Sequence, residues 1–298
     1  MKATAIAHPN LAFVKYWGKR DEALRLPATG SISMTLGGLF VRTTVEFGAP
    51  ADRISIDGRA LAGEEHARTF RFLDRIRSRS GVAKPARIES VSNFPKSAGL
   101  ASSAAGFAAL ALAGTRAAGL DLSPEDLALL ARVGSGSATR SIHGGFVEWK
   151  AGVRPDGSDS HGVPIAGPAH WPDLRLVAAI ATTAEKPCSS SEGMRRAREA
   201  CPFYDAWIAS SDADLRRTRD AIAARDFETL GRVAESNALR MHAVCLASEP
   251  PIVYWTPGTM ELIRRIQALR TEGVAAWLSI DAGPNVFAIC RAADETLV

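Results

Sequence analysis

The stretch Asn93-Phe-Pro-Lys-Ser-Ala-Gly-Leu-Ala-Ser-Ser-Ala-Ala-Gly106 constrains this chain more than any other. Glycine and serine form a turn that opens directly into a helix of alanines, so an anion can approach the backbone amides and meet the positive end of the helix dipole. Ser102 and Ser103 add hydroxyls that suit phosphate oxygens or magnesium. The same residues would also serve a core helix whose small side chains let its neighbours pack closely, and composition alone leaves both readings open. It is not a Walker loop, since no G-K-[ST] follows a GxxxxG. Nor does it suit a membrane span, because alanine, glycine and serine dominate residues 98–114 and the run is short of the roughly 20 strongly apolar residues a crossing needs.

With 298 residues, 46% of them hydrophobic, the chain can fill two cores, and two domains are expected. Its net charge of +4 comes from 36 basic and 32 acidic residues mixed along the sequence. No basic arm marks a nucleic-acid partner, while a small positive excess suits small anions. Cys188, Cys201, Cys245 and Cys290 lie far apart without a CxxC pair, and no charged-then-apolar leader opens the chain, which together predict a reduced, cytoplasmic setting.

Residues 3–8, 39–47, 53–56 and 87–92 carry strand patterns, and 63–80 has helical period with Phe70, Leu73 and Ile76 on one side. A helix is expected from near Leu100, and another opens at Ser123-Pro124-Glu125-Asp126, where a capping serine, a first-turn proline and two acids coincide. Residues 144–150 and 174–181 predict strands on either side of a polar, Gly/Pro-rich stretch over 152–172, which places the domain boundary there, giving domains 1–172 and 173–298. Helical segments follow near 190–200, 203–224 and 226–245, then a helix from Thr256 that stops at Gly273, and strands over 275–280 and 286–291. Strands and helices alternate in both halves, so the expected class is α/β or α+β, with layered sheets and helices, and α+β is the one adopted. The chain stops at Val298 as an acidic, helix-like segment begins, and the pattern predicts that a last helix and closing strand are absent.

Four further segments carry chemistry. In Asn10-Leu-Ala-Phe-Val-Lys-Tyr-Trp-Gly-Lys-Arg-Asp21, cations alternate with aromatics, a pattern fit to hold a polyphosphate or carboxylate and equally met in a solvated turn of snorkelling lysines. Gly134-Ser-Gly-Ser-Ala-Thr-Arg140-Ser ends a hydroxyl-rich loop in a guanidinium that can grip an anion with two hydrogen bonds. Lys186-Pro-Cys-Ser-Ser-Ser-Glu-Gly-Met194 is hydroxyl-rich again, and Asp281-Ala-Gly-Pro-Asn285 sets an acid in a tight turn at a strand end. Ordinary polar connections explain such segments too. The six histidines show no metal-ligand spacing and no G-x-S-x-G elbow exists, which disfavours zinc hydrolysis and triad chemistry.

In this order the segments KYWGKRD at 15–21, LP and SIS within 26–33, NFP with GLASSAAGFAAL at 93–110, GSGSATRS at 134–141 and DAGPN at 281–285 resemble the diphosphomevalonate decarboxylase family. That family lies within the GHMP superfamily of galactokinase, homoserine kinase, mevalonate kinase and phosphomevalonate kinase. The resemblance covers nearly the whole chain. It implies a two-domain, two-layer α/β sandwich fold with ATP and substrate between the domains, and a homodimer. It also implies Asp281 as the base at the substrate's 3-hydroxyl and Arg140 as the grip on its carboxylate, with Lys15 beside them. Tyr16, Lys19, Arg68, Ser135 and Ser137 would contact substrate and phosphates, Asn10 would line the cleft, and Ser189 and Ser190 would belong to a closing loop. Gly99, Ala101, Ser102, Ser103 and Ala104 would cradle ATP, with Ser102 at Mg²⁺. The implied substrate is mevalonate 5-diphosphate, with no nucleic acid or membrane as partner. Sister enzymes acting on the monophosphate or stopping at 3-phosphorylation, and a non-catalytic binding relative, are the alternatives. Thr29, Lys96, Thr139 and His143 depart from the family's usual asparagine, small residue, cysteine and aromatic.

Overall fold

The structure is a computed structural model that describes residues 1–94 and 102–298. Its first strands are β1 (Lys2–Ala7), β2 (Asn10–Val14), β3 (Lys19–Asp21), β4 (Leu26–Pro27), β5 (Ser31–Thr35), β6 (Val41–Phe47), β7 (Arg53–Ile56) and β8 (Arg59–Ala60). Helix α1 (Gly63–Ser80), β9 (Ala86–Ser92), α2 (Ser102–Ala117) and α3 (Pro124–Gly134) follow, then a 3-10 helix over Gly136–Ile142, β10 (Phe146–Trp149) and β11 (Gly162–Ala166). The rest of the chain forms β12 (Leu174–Ala179), α4 (Ser190–Ala200), α5 (Tyr204–Ala224), α6 (Phe227–Leu246), α7 (Pro257–Thr271), β13 (Ala276–Ser279) and β14 (Val286–Arg291).

The strands sort into sheets ordered β1-β6-β9-β7-β8, β11-β10-β5-β2 and β12-β14-β13, with β3 and β4 as a separate hairpin. In β6 and β9 every second residue is buried, the period that lets a sheet face its core on one side only. Helix α2 fills that face: Ala104, Ala105, Ala109, Ala111 and Ala113 are fully buried, and the helix lies on β1 and β6. The alanines therefore do serve close packing, at the same time as the helix start reaches the cleft described below. Among the described residues, no helix is long and apolar enough to cross a membrane.

Helix α3 begins as its sequence dictates, with the Ser123 hydroxyl accepting from the Asp126 amide at 3.1 Å and Pro124 in the first turn. Strands β2, β5 and β11 were not foreseen. All five residues of β2 are buried, so it shows no alternation, and β11 carries Pro164, which its place at a sheet edge tolerates. The segment over 134–141, expected as a loop, is instead the end of α3 and a 3-10 helix, a change that stacks Ser135, Ser137 and Arg140 on successive tight turns.

The two halves of the chain share a core. Phe13, Ile32 and Phe146 from the first half pack with Leu215, Ile222, Phe227 and Leu230 of α5 and α6. Where β2 ends, the Lys15 amide donates to Asn237 Oδ1 of α6 at 2.8 Å, and Asn237 is itself held by Asp214. The lysine side chain that follows is thereby aimed toward β13.

Candidate active site

A cavity of about 470 Å³ lies between the two halves, and Lys15, Tyr16, Arg68, Ser102, Ser103, Ser135, Ser137, Arg140, Ser189, Ser190 and Asp281 all line it. Residues scattered over most of the sequence thus converge on one cleft. Gly99, Ala101 and Lys96 lie outside the described residues.

Asp281 stands just past β13, in the turn before β14. Asn285 clamps that turn, its Oδ1 accepting from the amides of Ala181 and Thr182 at 2.8 and 3.1 Å. Lys15 reaches the carboxylate from the other half, with Nζ 2.6 Å from Asp281 Oδ1 and 2.8 Å from both Ser279 Oγ and the Ala12 carbonyl. The lysine is 2% exposed and the aspartate 24%, so the ion pair has its cation in the protein and its anion at the cavity wall. Burial lowers the lysine's pKa, Asp281 opposes this, and the nearby Arg140 adds to it.

Arg140 is buried with only neutral oxygens as hydrogen-bond partners. Its Nε donates to Asn10 Oδ1 at 3.1 Å and Ser33 Oγ at 2.9 Å, and Nη1 donates to Ser31 Oγ. Burial pushes its pKa down to about 10, offset in part by the field of Asp281. A guanidinium desolvated in this way, beside a cavity, is set to receive an anion. Asn10 does not line the cavity. It lies behind Arg140, donating to Ser141 Oγ at 2.7 Å, and so orients the guanidinium.

Tyr16 packs on Trp149 with ring centroids 4.6 Å apart, and among the described residues its buried hydroxyl has no partner. Gly136 is required beside it, since a Cβ there would lie 2.8 Å from the tyrosine ring and 2.9 Å from the tryptophan. Arg68 donates to the Gly134 carbonyl at 2.7 Å, has a buried Nε with no partner among the described residues, and has its pKa lowered to about 10 by burial. Ser103 contacts Ser135 at 3.3 Å, joining the start of α2 to the 3-10 helix. Ala104 is fully buried and is not among the residues lining either cavity. A second cavity, lined by Ile54, Ile56, Leu61, Val91 and Phe107, meets the first at Ser102, Ser103 and Arg68.

Ser189 caps α4, accepting from the Glu192 amide at 3.2 Å, and Ser190 accepts from Lys186 Nζ at 2.7 Å. Lys19 is not among the residues lining the cavity. Its Nζ lies 2.6 Å from Glu22 and 3.4 Å from Ser191 Oγ, at the back of the serine loop.

Several contributors were not singled out from sequence. Ser31 and Ser33 reach Arg140 only because β5 pairs with β2 and β10, and Lys186 reaches the Ala282 carbonyl at 3.0 Å across the cleft. Thr139 and His143 both secure Gly162: the threonine hydroxyl accepts its amide at 2.7 Å and His143 Nε2 bonds its carbonyl at 3.1 Å. Among the described residues no cluster of three or more His, Cys, Asp or Glu is able to hold a metal ion.

His242, on α6, lies within hydrogen-bond distance of the Asp281 carbonyl, with Nε2 at 3.2 Å. Burial, chiefly, and the field of Lys15 push its pKa down to about 4, so at neutral pH the ring is uncharged and its proton sits on Nε2, donating to that carbonyl. A histidine that is easier to protonate unfolded than folded contributes stability above pH 6.5, and that contribution is lost as pH falls toward 4. The loss is expected to reach about 3 kcal/mol. Urea midpoints between pH 7 and 4 should therefore fall more steeply for the wild type than for His242→Gln, and parallel curves would rule the histidine out as the cause.

Two family models match the chain. The diphosphomevalonate decarboxylase-like N-terminal domain covers residues 7–162, and the mevalonate 5-diphosphate decarboxylase C-terminal domain covers residues 176–298. The chain belongs to the diphosphomevalonate decarboxylase family. Among relatives, diphosphomevalonate decarboxylase of Homo sapiens is 36% identical over 99% of this chain and 77% of its own length. Among solved structures, mevalonate diphosphate decarboxylase from Staphylococcus aureus matches with TM-score 0.94 and 38% identity, over 99% of this chain and 89% of that one. A structure described as MDDEF in complex with MVAPP, AMPPCP and magnesium matches with TM-score 0.94 and 36% identity, over 100% of this chain and 91% of that one. The mixed α/β layers are therefore the GHMP-type fold of this family, as the motifs implied.

Proposed function

We propose that the cleft catalyses the ATP-dependent decarboxylation of mevalonate 5-diphosphate to isopentenyl diphosphate, releasing ADP, phosphate and CO₂. The observation that carries this reading is that a lysine-paired Asp281 and a buried Arg140 line one cavity with the Ser102–Ser103 helix start. In this reading residues 1–172 supply the nucleotide side and residues 173–298 the reacting carboxylate.

Asp281 accepts the proton of the 3-hydroxyl, or holds that hydroxyl in line with the γ-phosphoryl group of ATP, and Lys15 orients the carboxylate. The orphaned Arg68 Nε, the serine hydroxyls and the first amides of α2 fit ATP phosphates, and the apolar cavity beyond them fits a base. Mg²⁺, when bound, would neutralise charge on the phosphates, and Ser102, which lines the cavity, would help to hold it. Phosphorylation turns a poor leaving group into a good one. As the C3–O bond breaks, cationic character develops at C3, and the C1–C2 bonding pair then becomes the C2–C3 double bond as CO₂ departs. Arg140 holds the carboxylate until that point.

Incubation with mevalonate 5-diphosphate and Mg-ATP should yield ADP and CO₂ in equal amounts. ADP without CO₂ would replace this reading with that of a 3-kinase, and the absence of both products would overturn it.

A further inference from the structure

Arg25 has no place in the account so far, although it lines the main cavity. It stands in the tip between β3 and β4 with φ 52, a left-handed conformation that long side chains adopt only under strain. The strain is held by a reciprocal clip to α3. Arg25 Nε donates to the Val133 carbonyl at 2.8 Å, and Arg132 Nε donates back to the Leu24 carbonyl at 3.1 Å. Arg132 is buried and is itself fixed on the Gly157 carbonyl at 2.6 Å. The clip therefore anchors Arg25 at a point two residues before Ser135.

Four other cations in or beside the cleft are committed, while Arg68 keeps a buried Nε for which the described residues show no partner. Lys15 is paired with Asp281, Lys19 with Glu22, and Lys186 with Ser190 and a carbonyl. Arg140 is bound to Ser31, Ser33 and Asn10. Arg25 is held only by Nε, and among the described residues no partner is found for its two terminal nitrogens. It also borders an outer groove that shares Arg25 and Arg68 with the main cavity and does not include Asp281. Its charge is felt by both Tyr16 and Arg68, which line the same cavity.

We infer that Arg25 is a specificity-determining residue that grips the terminal phosphate of the substrate and so distinguishes a diphosphate from a monophosphate. The inference rests on the reading that a phosphorylated hydroxy acid occupies the cleft. Calorimetric titration of the wild type and Arg25→Asn with mevalonate 5-diphosphate and with mevalonate 5-phosphate tests it without requiring turnover. Asparagine tolerates positive φ, so the turn is kept while the guanidinium is lost.

The expected result is that the diphosphate Kd weakens about tenfold or more, as for a lost charge-assisted hydrogen bond, while the monophosphate Kd stays within about threefold. Equal weakening for both ligands, or none, overturns the inference. Should the asparagine variant not fold, Arg25→Lys serves instead. One ammonium cannot span both the Val133 carbonyl and a phosphate, so at least a threefold loss in the ratio is expected and an unchanged ratio overturns the inference. A wild type that binds neither ligand would reject the parent reading, and this one with it. A wild type that binds the diphosphate, with Arg25 variants that do so equally well, would reject this one alone.

Discussion

Asp281→Asn is expected to lower kcat by about 10³- to 10⁴-fold while the Kd of the diphosphate substrate changes by no more than a few-fold, since a base and an orienting acceptor are removed and the phosphate contacts are untouched. The substitution keeps shape and one acceptor oxygen for Lys15, which now lies 2.6 Å from the carboxylate. It removes the charge that holds the lysine's pKa up against burial, so the lysine becomes easier to deprotonate and the pair loses its fixed geometry. Some stability is lost with it, because a buried cation is left among neutral oxygens. Thermal unfolding of the variant therefore belongs beside the rate. The decisive measurement is single-turnover ADP formation. A variant that transfers phosphate within tenfold of the wild-type rate would show that Asp281 neither deprotonates nor aligns the hydroxyl.

How much of this was readable beforehand depended on whether the information was local. Helices α1, α3 and α7 announced themselves because a cap, a first-turn proline or an amphipathic face lies within a few residues of sequence. Strand β2 gave no such sign. Its full burial comes from β5 on one side and α6 on the other, and nothing in Asn10–Val14 specifies those partners. The same division runs through the site. The motifs singled out Asp281, Arg140 and the serine pair, which line one cavity, whereas the groups that aim them were not visible. Ser31 and Ser33 lie 109 and 107 residues from Arg140, and Arg25 meets Val133 across 108. Local chemistry did not disclose the partner of Lys19, which is paired to Glu22 three residues on.

Replacing Arg140 by glutamine is expected to move activity and stability in opposite directions. Arg140 is 3% exposed and its pKa is pushed down to about 10, meaning that the folded protein holds its charge at a cost that exposed arginines avoid. Three neutral oxygens return part of that cost through hydrogen bonds, and Asp281 contributes only through its field. A substrate carboxylate would complete the compensation, so the unliganded protein stores an electrostatic deficit that binding relieves. Arg140→Gln retains an amide able to donate to Ser33 or Asn10 but carries no charge. Its melting temperature should rise by about 2 to 4 °C, since roughly 1 to 2 kcal/mol of uncompensated desolvation is removed. Its kcat/KM should fall by about 10³-fold, because the bidentate hold on the departing carboxylate is lost. Arg140→Lys separates charge from shape: it should recover less than a tenth of the lost activity, a point charge being unable to reproduce the planar fork. A glutamine variant that is both inactive and less stable would show that Arg140 is a structural strut, with the carboxylate bound elsewhere in the cleft.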